Sequence, residues 1–273
     1  LALHTIASAQ KNGGTACFID MEHALDINYA EKCGVNVRNL IISQPDNGDQ
    51  ALELVDYIVK TGKVDVVVID SVAALVPKEE LEAGITENQM GLQARLMSKA
   101  MRMLSGPVSS SRTVCIFINQ VREKIGVFFG NPETTPGGNA LKFYSSVRIH
   151  VSQKEKLTKG DKVIGIRVKA KIVKNKVAPP HTTAEFDILF DEGISLASEL
   201  IDLGVKYGVI LKSGSWYSYG DIKLGQGKEE ARLTLKSDNH LLLTIKEEIL
   251  KKAFETRELP VTDSTDTEKE NLP

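Results

Sequence analysis

Apolar and polar positions alternate in blocks from residue 1 to about residue 150, and the blocks predict strands that alternate with helices. Apolar residues at helical spacing predict helices near 1–12, 28–33, 51–62 and 89–107, the last ended by Gly106-Pro107. Short apolar runs typical of buried parallel strands occur at TACFID (15–20), NLIISQ (39–44), VDVVVIDS (64–71) and TVCIFINQ (113–120). The alternation predicts an α/β fold with a doubly wound, mostly parallel sheet.

After residue 143 the pattern changes to an alternation with period two. Runs at 145–153, 165–176 and 184–190 predict antiparallel strands that extend the sheet. We therefore predict a core over 1–193, a small α/β C-terminal domain over 194–257, and a disordered acidic tail over 258–273.

Composition excludes some classes of function. The net charge is −2 and the pI about 6.3, so nucleic-acid binding would need a local basic patch rather than an overall basic field. The three cysteines (Cys17, Cys33 and Cys115) lack metal-site spacing and predict free thiols in a reducing compartment. No apolar run approaches the roughly 18 residues of a membrane span, so no membrane partner is expected. The uncapped helix at residue 1 suggests a chain truncated at its N-terminus.

Three predicted strands end in polar residues that could carry chemistry. Asp70 follows four apolar residues, as in a Walker B pattern, and could hold Mg²⁺ through water beside a nucleotide; it could equally cap the next turn. Glu22 could polarise an attacking water or be a turn residue, and Gln120 could sense a phosphate or end its strand. Because parallel strand ends converge on one crevice, the three together indicate a site more strongly than any one alone.

About sixteen residues after Gln120 form a predicted loop that is unusually long for a connection. Its cations could neutralise phosphates, its large apolar side chains could stack on bases, and its glycines allow close backbone approach. The residues concerned are Arg122, Lys124, Ile125, Phe128, Phe129, Gly130, Gly137 and Gly138. An active-site lid or a disordered excursion would explain the same composition.

Some residues have a plain structural interpretation. The alternating lysines at 169, 171, 174 and 176 are typical of a solvated strand face. Tyr29 and Phe190, each taken alone, are typical packing residues.

Several stretches, in their order and spacing, resemble bacterial-type RecA recombinases, including their organellar relatives. The matching stretches are IDMEHALD, NLIISQPDNGDQALE, VDVVVIDSVAALVPK, MGLQARLMSKAMR, IFINQVREKIGVFFGNPETTPGGNALKFYSSVR, KIVKNKVAPP and GSWYSYGDIKLGQGK. The resemblance implies a P-loop ATPase core of the RecA type and a small C-terminal domain.

The resemblance also implies roles for matching residues. Glu22 would activate the attacking water, Asp70 would act on Mg²⁺, and Gln120 would sense the γ-phosphate of ATP and open into a second DNA-binding loop at 121–136. A first DNA loop would lie at 83–90. Further implied sites are Asp26, Tyr29 and Phe190 near the adenine (Phe190 where Tyr is common), Lys174 and Lys176 at a neighbouring subunit's ATP, and Met90, Arg95, Arg122, Lys124, Ile125, Phe128, Phe129, Gly137, Gly138 and Asn139 at DNA.

The implied function is ATP-dependent homologous recombination and DNA repair on single-stranded DNA filaments that pair with homologous double-stranded DNA. A non-catalytic DNA-binding or regulatory paralogue is the alternative. A replicative helicase of related fold is a third possibility, but the long loop after Gln120 and the strand that contains KNK (174–176) together argue against it. The compartment would be the cytoplasm of a bacterium, or a chloroplast or mitochondrion if a transit peptide is missing.

The sequence departs from the family pattern in three ways. No GxxxxGK[ST] loop occurs in the 273 residues, since GQGK at 225–228 has neither the spacing nor the strand–helix context, and the family's N-terminal docking helix is also absent. We therefore expect residues 1–273 by themselves to be a poor ATPase and a poor filament former. The first DNA loop reads AGITENQM (83–90), with less glycine than is usual.

Overall fold

The computed structural model describes residues 1–83, 91–123 and 133–258. The chain divides into two compact units, Leu1–Ile194 and Ser195–Pro273. Of the predicted acidic tail, Glu258 ends the last helix, and the remaining residues lie outside the described part of the chain.

Helices and strands alternate in the first part of unit one, as the block pattern predicts. The helices are α1 (Ala2–Lys11), α2 (Ile27–Lys32), α3 (Gly48–Lys60), α4 (Lys78–Glu82) and α5 (Leu92–Ser111), with 3₁₀ turns at Val37–Asn39 and Val72–Ala74. The strands are β1 (Ala16–Asp20), β2 (Leu40–Ser43), β3 (Val66–Asp70) and β4 (Val114–Phe117). They form a parallel sheet in the order β2-β1-β3-β4.

Both faces of this sheet are covered, which explains the continuous apolar runs of β1 and β3. Cys17 and Ile19 of β1 belong to a core that includes buried residues of α3 and α5. Ala16 and Phe18, on the opposite face, pack in a second core with Ile6 of α1. Burial raises the pKa of the Cys17 thiol to about 11, and all three cysteines are free, as predicted.

Two sequence predictions about this region were wrong in detail. Strand β4 was predicted to be central, but it lies at the edge of the described sheet, and Val114 is 52% exposed. Helix α5 was predicted to stop at Gly106-Pro107, yet it continues to Ser111. Proline removes one hydrogen bond from a helix interior, and here Val108, one residue further on, still packs against the core and favours continuation.

The rest of unit one is mostly antiparallel. A two-residue pair, β5 (Arg122–Glu123) and β6 (Glu133–Thr134), precedes α6 (Ala140–Tyr144). The period-two strands were predicted to extend the parallel sheet, but in the described residues they form a sheet of their own in the order β10-β9-β8-β7. These strands are β7 (Val147–Lys159), β8 (Lys162–Asn175), β9 (Thr183–Leu189) and β10 (Gly193–Ile194). Alternation predicts a strand and its buried face but does not specify which strand it pairs with.

Unit two is a small α/β unit with a core of its own. Its elements are α7 (Leu196–Lys206), β11 (Leu211–Ser213), β12 (Trp216–Tyr219), β13 (Ile222–Gln226), α8 (Lys228–Ser237) and α9 (Asn239–Glu258). The strands form an antiparallel sheet in the order β11-β12-β13. Ile201, Leu224, Leu235 and Ile245 are almost fully buried and hold the helices and the sheet together. In neither unit is any described helix both long enough and apolar enough to cross a membrane.

Candidate functional site

Backbone hydrogen bonds tie the carboxyl ends of β1, β3 and β4 together. Met21 N donates to Asp70 O over 2.7 Å, and Ile118 N donates to Ile69 O over 3.0 Å. Val72 N donates in turn to Ile118 O over 2.8 Å. The residues that follow the three strands are therefore held at one edge of the sheet, where ligands bind in folds of this kind.

Glu22, Asp70 and Gln120 were predicted to meet at this edge, and the structure brings them together. The Glu22 carboxylate accepts hydrogen bonds from the Ser71 hydroxyl and from Gln120 Nε2, the latter over 3.0 Å. Gln120 lies three residues beyond the end of β4 rather than on the strand, and its backbone N donates to Asn119 Oδ1 over 2.9 Å. Glu22 is exposed, so a water or a ligand can reach its carboxylate.

Asp70 carries an unfavourable negative charge at this edge. Burial raises the pKa of the Asp70 carboxyl above its ordinary 3.8, and the charges of Glu22 and Asp20 raise it further. A bound cation would relieve this repulsion.

Asp20, which sequence reasoning missed, organises the turn that carries Glu22. It is 2% exposed, and its carboxylate accepts from Ala24 N (3.2 Å), Leu25 N (3.3 Å) and Gln44 Nε2 (3.0 Å). Burial acts to raise the pKa of Asp20, but these hydrogen bonds and the nearby His23 outweigh it, and the pKa is lowered. Its position at the end of a buried strand, equivalent to that of Asp70, was the signal available in the sequence.

The donor set at this edge suits Mg²⁺ held through water. Carboxylates and a hydroxyl are the hard oxygen ligands that Mg²⁺ prefers. Among the described residues, no group of three or more His, Cys, Asp and Glu side chains could hold a metal directly.

The two ends of the predicted second DNA loop are described, and its middle is not. Lys124, Ile125, Phe128 and Phe129 of that loop, and Met90 of the first loop, lie outside the described residues. At the ends, Arg122 pairs with Thr134 across β5 and β6, and Asn119 Nδ2 donates to Pro136 O over 3.1 Å. The segments on either side of the undescribed residues therefore lie next to each other.

Gly137 and Gly138 anchor the far end of this loop. Both have positive φ, 81° and 70°. A Cβ at Gly137 would lie 2.9 Å from Val72 Cγ1, and one at Gly138 would lie 2.8 Å from Ala94 Cβ. Only glycine fits both the backbone conformation and the close approach to α5 and to the Val72–Ala74 turn. Beside this anchor is an open cleft of about 280 Å³, lined by Ala73, Val76, Glu80, Gly91, Gln93, Arg122 and Pro136.

The remaining predicted site residues lie elsewhere on unit one. Asp26 Oδ1 accepts from Tyr29 N over 2.9 Å and caps α2. Phe190 follows β9 with 50% of its surface exposed. Arg95 and Asn139, at the starts of α5 and α6, are both exposed.

The two candidate lysines of β8 differ in their contacts. Lys174 Nζ donates to Lys142 O (2.6 Å) and Phe143 O (2.7 Å) at the end of α6, while Lys176 N donates to Ser146 O. Burial lowers the pKa of Lys174, and the charges of Lys176 and Arg148 lower it further. Lys174 therefore binds the last carbonyls of α6, a position typical of lysines near a helix C-terminus.

Comparison with known families decides the identity of this fold. The RecA N-terminal domain family matches residues 1–195, and the RecA C-terminal domain family matches residues 198–254. The chain belongs to the RecA family.

Individual RecA relatives are similar over most of the chain. Protein RecA of Bacillus subtilis is 58% identical over 249 residues, which cover 91% of this chain and 72% of that protein. Protein RecA of Bacteroides thetaiotaomicron is 60% identical over 241 residues, which cover 88% and 73%. A crystal structure of the RadB recombinase matches with a TM-score of 0.50 at 20% identity, over 70% of this chain and 82% of that one, and supports the fold alone.

Membership in the RecA family gives the chain its class of function, ATP-dependent homologous recombination and DNA repair. RecA proteins are DNA-dependent ATPases that use Mg²⁺, bind single-stranded DNA and form filaments. Nothing in the fold or in these relatives favours the non-catalytic paralogue.

Proposed function

We propose that Glu22, Asp70 and Gln120 line the chain's ATP site at this edge of the sheet, which we call the nucleotide edge. We also propose that Gln120 links this site to a DNA-binding loop at 121–136. The observation that carries the proposal is the hydrogen bond from Gln120 Nε2 to Glu22 Oε1. One residue at the start of the loop is thereby bonded to the carboxylate best placed to act on water.

In this proposal each residue has one task. Glu22 accepts the proton of the attacking water, and Ser71 and Gln120 orient its carboxylate. Asp70 would hold Mg²⁺ through water; burial and the charges of Glu22 and Asp20 raise its pKa, and a cation there would offset this repulsion. When bound, Mg²⁺ offsets the charge of the phosphates.

The DNA-binding part of the proposal rests on both ends of the loop. Arg122 is exposed at one end and can pair with a phosphate. Lys124, Ile125, Phe128 and Phe129 belong to the proposed DNA surface by resemblance alone, as do Met90 and Arg95 at the exit of the first loop. Asp26, Tyr29 and Phe190 are proposed to lie near the adenine, Lys174 and Lys176 near a neighbouring subunit's ATP, and Gly137, Gly138 and Asn139 near DNA.

A Glu22→Gln variant of the complete gene product that carries these residues tests the proposal. Glutamine keeps a carbonyl acceptor for Ser71 and Gln120 but cannot take a proton. We expect ATP hydrolysis stimulated by single-stranded DNA to fall by about 100-fold or more, while ATP-dependent DNA binding stays within about threefold. Glu53→Gln, an exposed carboxylate on α3, is the matched control. Unchanged hydrolysis in Glu22→Gln would contradict the proposal.

Two further proposals concern the stretch of residues 1–273 and its location. We expect these residues alone to hydrolyse ATP far more slowly than the Bacillus subtilis relative assayed beside them, since they contain no GxxxxGK[ST] loop to cradle phosphates. Equal rates would contradict this. We propose a bacterial cytoplasm as the location, in line with the bacterial relatives. A chloroplast or a mitochondrion is the alternative, and cell fractionation with an antibody to the chain would decide between them.

A further inference from the structure

Gln93, on the first turn of α5, uses both ends of its side-chain amide to join two other segments. Its Nε2 donates to Val72 O over 2.8 Å and to Leu75 O over 3.2 Å. Its Oε1 accepts from Gly137 N over 3.0 Å. Val72 and Leu75 belong to the turn that follows Asp70 and Ser71, and Gly137 ends the loop that begins at Gln120.

The chemistry of these three bonds requires an amide. Two backbone carbonyls need two N–H donors and one backbone N–H needs an acceptor, and among side chains only the amides of Asn and Gln supply two donors and an acceptor from one planar group. Glutamate would keep the bond to Gly137 and lose the other two. Leucine would have a similar size and lose all three, which leaves partly buried backbone groups without these partners.

The bonds of Gln93 connect the nucleotide edge to the far end of the loop. Ser71 donates to Glu22, and Val72, the next residue, is bonded through its carbonyl to Gln93. A displacement of the Ser71–Val72 segment would therefore be transmitted through Gln93 to Gly137. Gln120 makes the equivalent connection from Glu22 to the near end of the loop.

We propose that Gln93 is a positioning residue that couples the nucleotide site to the far end of the second DNA loop. This inference rests on the proposed function of that loop. Gln120 acts at one end of the loop and Gln93 at the other, so both ends respond to the nucleotide edge. Two connected ends constrain a loop more than one, because they remove freedom that a loop held at one end retains.

The test compares Gln93→Leu and Gln93→Glu with the unaltered complete gene product. Affinity for a fluorescent oligo-dT is measured with ATP and Mg²⁺ and again with ADP and Mg²⁺, and the ratio of the two affinities measures the coupling. We expect both variants to lower this ratio about fivefold or more, with KM for ATP within about twofold. Ser105→Ala, an exposed hydroxyl on the same helix that donates to Arg102 O, is the control and should leave the ratio unchanged.

Hydrogen exchange of the segment around Gly137 gives a readout that does not depend on activity. In Gln93→Leu, which loses the acceptor for Gly137 N, exchange should be faster; in Gln93→Glu, which keeps it, exchange should change less. If Gln93→Leu fails to fold, Gln93→Glu carries the affinity test on its own.

The outcomes separate this inference from the function on which it rests. If the unaltered protein binds DNA equally with ATP and ADP, the proposed function of the loop is wrong and the coupling by Gln93 falls with it. If the unaltered protein distinguishes the nucleotides and both Gln93 variants do so equally well, only the Gln93 inference is overturned. Faster exchange at Gly137 with an unchanged ratio would also overturn it, because Gln93 would then stabilise the loop end without coupling it.

Discussion

Gln120 Nε2 donates to Glu22 Oε1 over 3.0 Å, although 98 positions separate the two residues in the sequence. The bond joins the start of a long loop to a carboxylate at the end of β1. Glu22 also accepts from Ser71, so its carboxylate is oriented by residues that follow two other strands. A ligand that competes for Glu22 would therefore change what Gln120 can bond to, and with it the start of the loop.

Gln120→Asn tests this connection with a small change of length. Asparagine keeps the amide but is shorter by one methylene, and the backbone of residue 120 is held by Asn119 Oδ1, so the bond to Glu22 should be lost. We expect the affinity for single-stranded DNA with ATP to fall by about tenfold, with the affinity in ADP little changed. Fluorescence anisotropy of a labelled oligonucleotide measures both.

A matched change on unit two controls for Gln120→Asn. Gln226→Asn shortens an exposed glutamine of β13 whose side chain donates to Ser215 Oγ. It should leave both affinities unchanged. If Gln120→Asn behaves like Gln226→Asn, the bond to Glu22 does not carry nucleotide information to the loop.

The meeting of Glu22, Asp70 and Gln120 could be predicted from sequence because it follows from topology. Buried apolar runs separated by helices predict a parallel sheet, and parallel strands end at the same edge. The polar residue that follows each apolar run then predicts which functional groups meet at the site. The same reasoning applies to Asp20, which also ends a strand, but its carboxylate faces the following turn and acts through backbone N–H groups.

The contribution of Gln93 could not be read from sequence for a different reason. Its partners are backbone atoms, of which Gly137 N is 44 positions away, and such atoms occur in almost every residue type, so the partners leave no signal in the sequence. The antiparallel sheet of β7–β10 could not be fully predicted either, because alternation predicts strands without specifying which strands pair. Pro107 shows that a local helix-stopping signal can be outweighed by packing further along the helix.

Asp70→Asn should stabilise the protein at neutral pH while weakening Mg²⁺-dependent nucleotide binding. The substitution removes a charge that lies beside Glu22 and Asp20. In EDTA at pH 7 we expect the free energy of unfolding to rise by about 0.5–2 kcal/mol, the usual range of single stabilising changes. Urea denaturation measures this, with Asp161→Asn in the exposed β7–β8 turn as the control.

The sign of the pH dependence follows from the raised pKa of Asp70. A carboxyl whose folded pKa exceeds its ordinary 3.8 favours the folded state below pH 3.8, and that contribution is lost as the pH rises through the folded pKa. The increase in the free energy of unfolding caused by Asp70→Asn should therefore be small near pH 3.8 and reach its full size at pH 7. An advantage of equal size at both pH values would show that charge repulsion is not its cause.

Asp20→Asn should have the opposite effect on stability. An asparagine Nδ2 would face N–H donors that now bond to a buried carboxylate, so we expect a loss of about 2–3 kcal/mol at pH 7. Because the folded pKa of Asp20 is lowered, its stabilising contribution is present above pH 3.8 and lost as the pH falls through the folded pKa. Urea denaturation across this pH range should show the free energies of unfolding of Asp20→Asn and the unaltered protein becoming equal in acid. A difference that stays constant with pH would contradict the argument.

Gly137→Ala and Gly160→Ala separate backbone conformation from close packing at the loop anchor. Both glycines have positive φ, 81° and 59°, so an alanine at either position costs about 1–2 kcal/mol. A Cβ at Gly160 meets nothing within 4 Å, whereas one at Gly137 meets Val72 Cγ1 at 2.9 Å and Met97 Cγ at 3.2 Å. Overpacking adds about 1–3 kcal/mol. Urea denaturation should therefore show a clearly larger decrease in the free energy of unfolding for Gly137→Ala than for Gly160→Ala. Equal losses would mean that the loop end can move away from α5 at little cost, and that Gly137 is retained for its conformation alone.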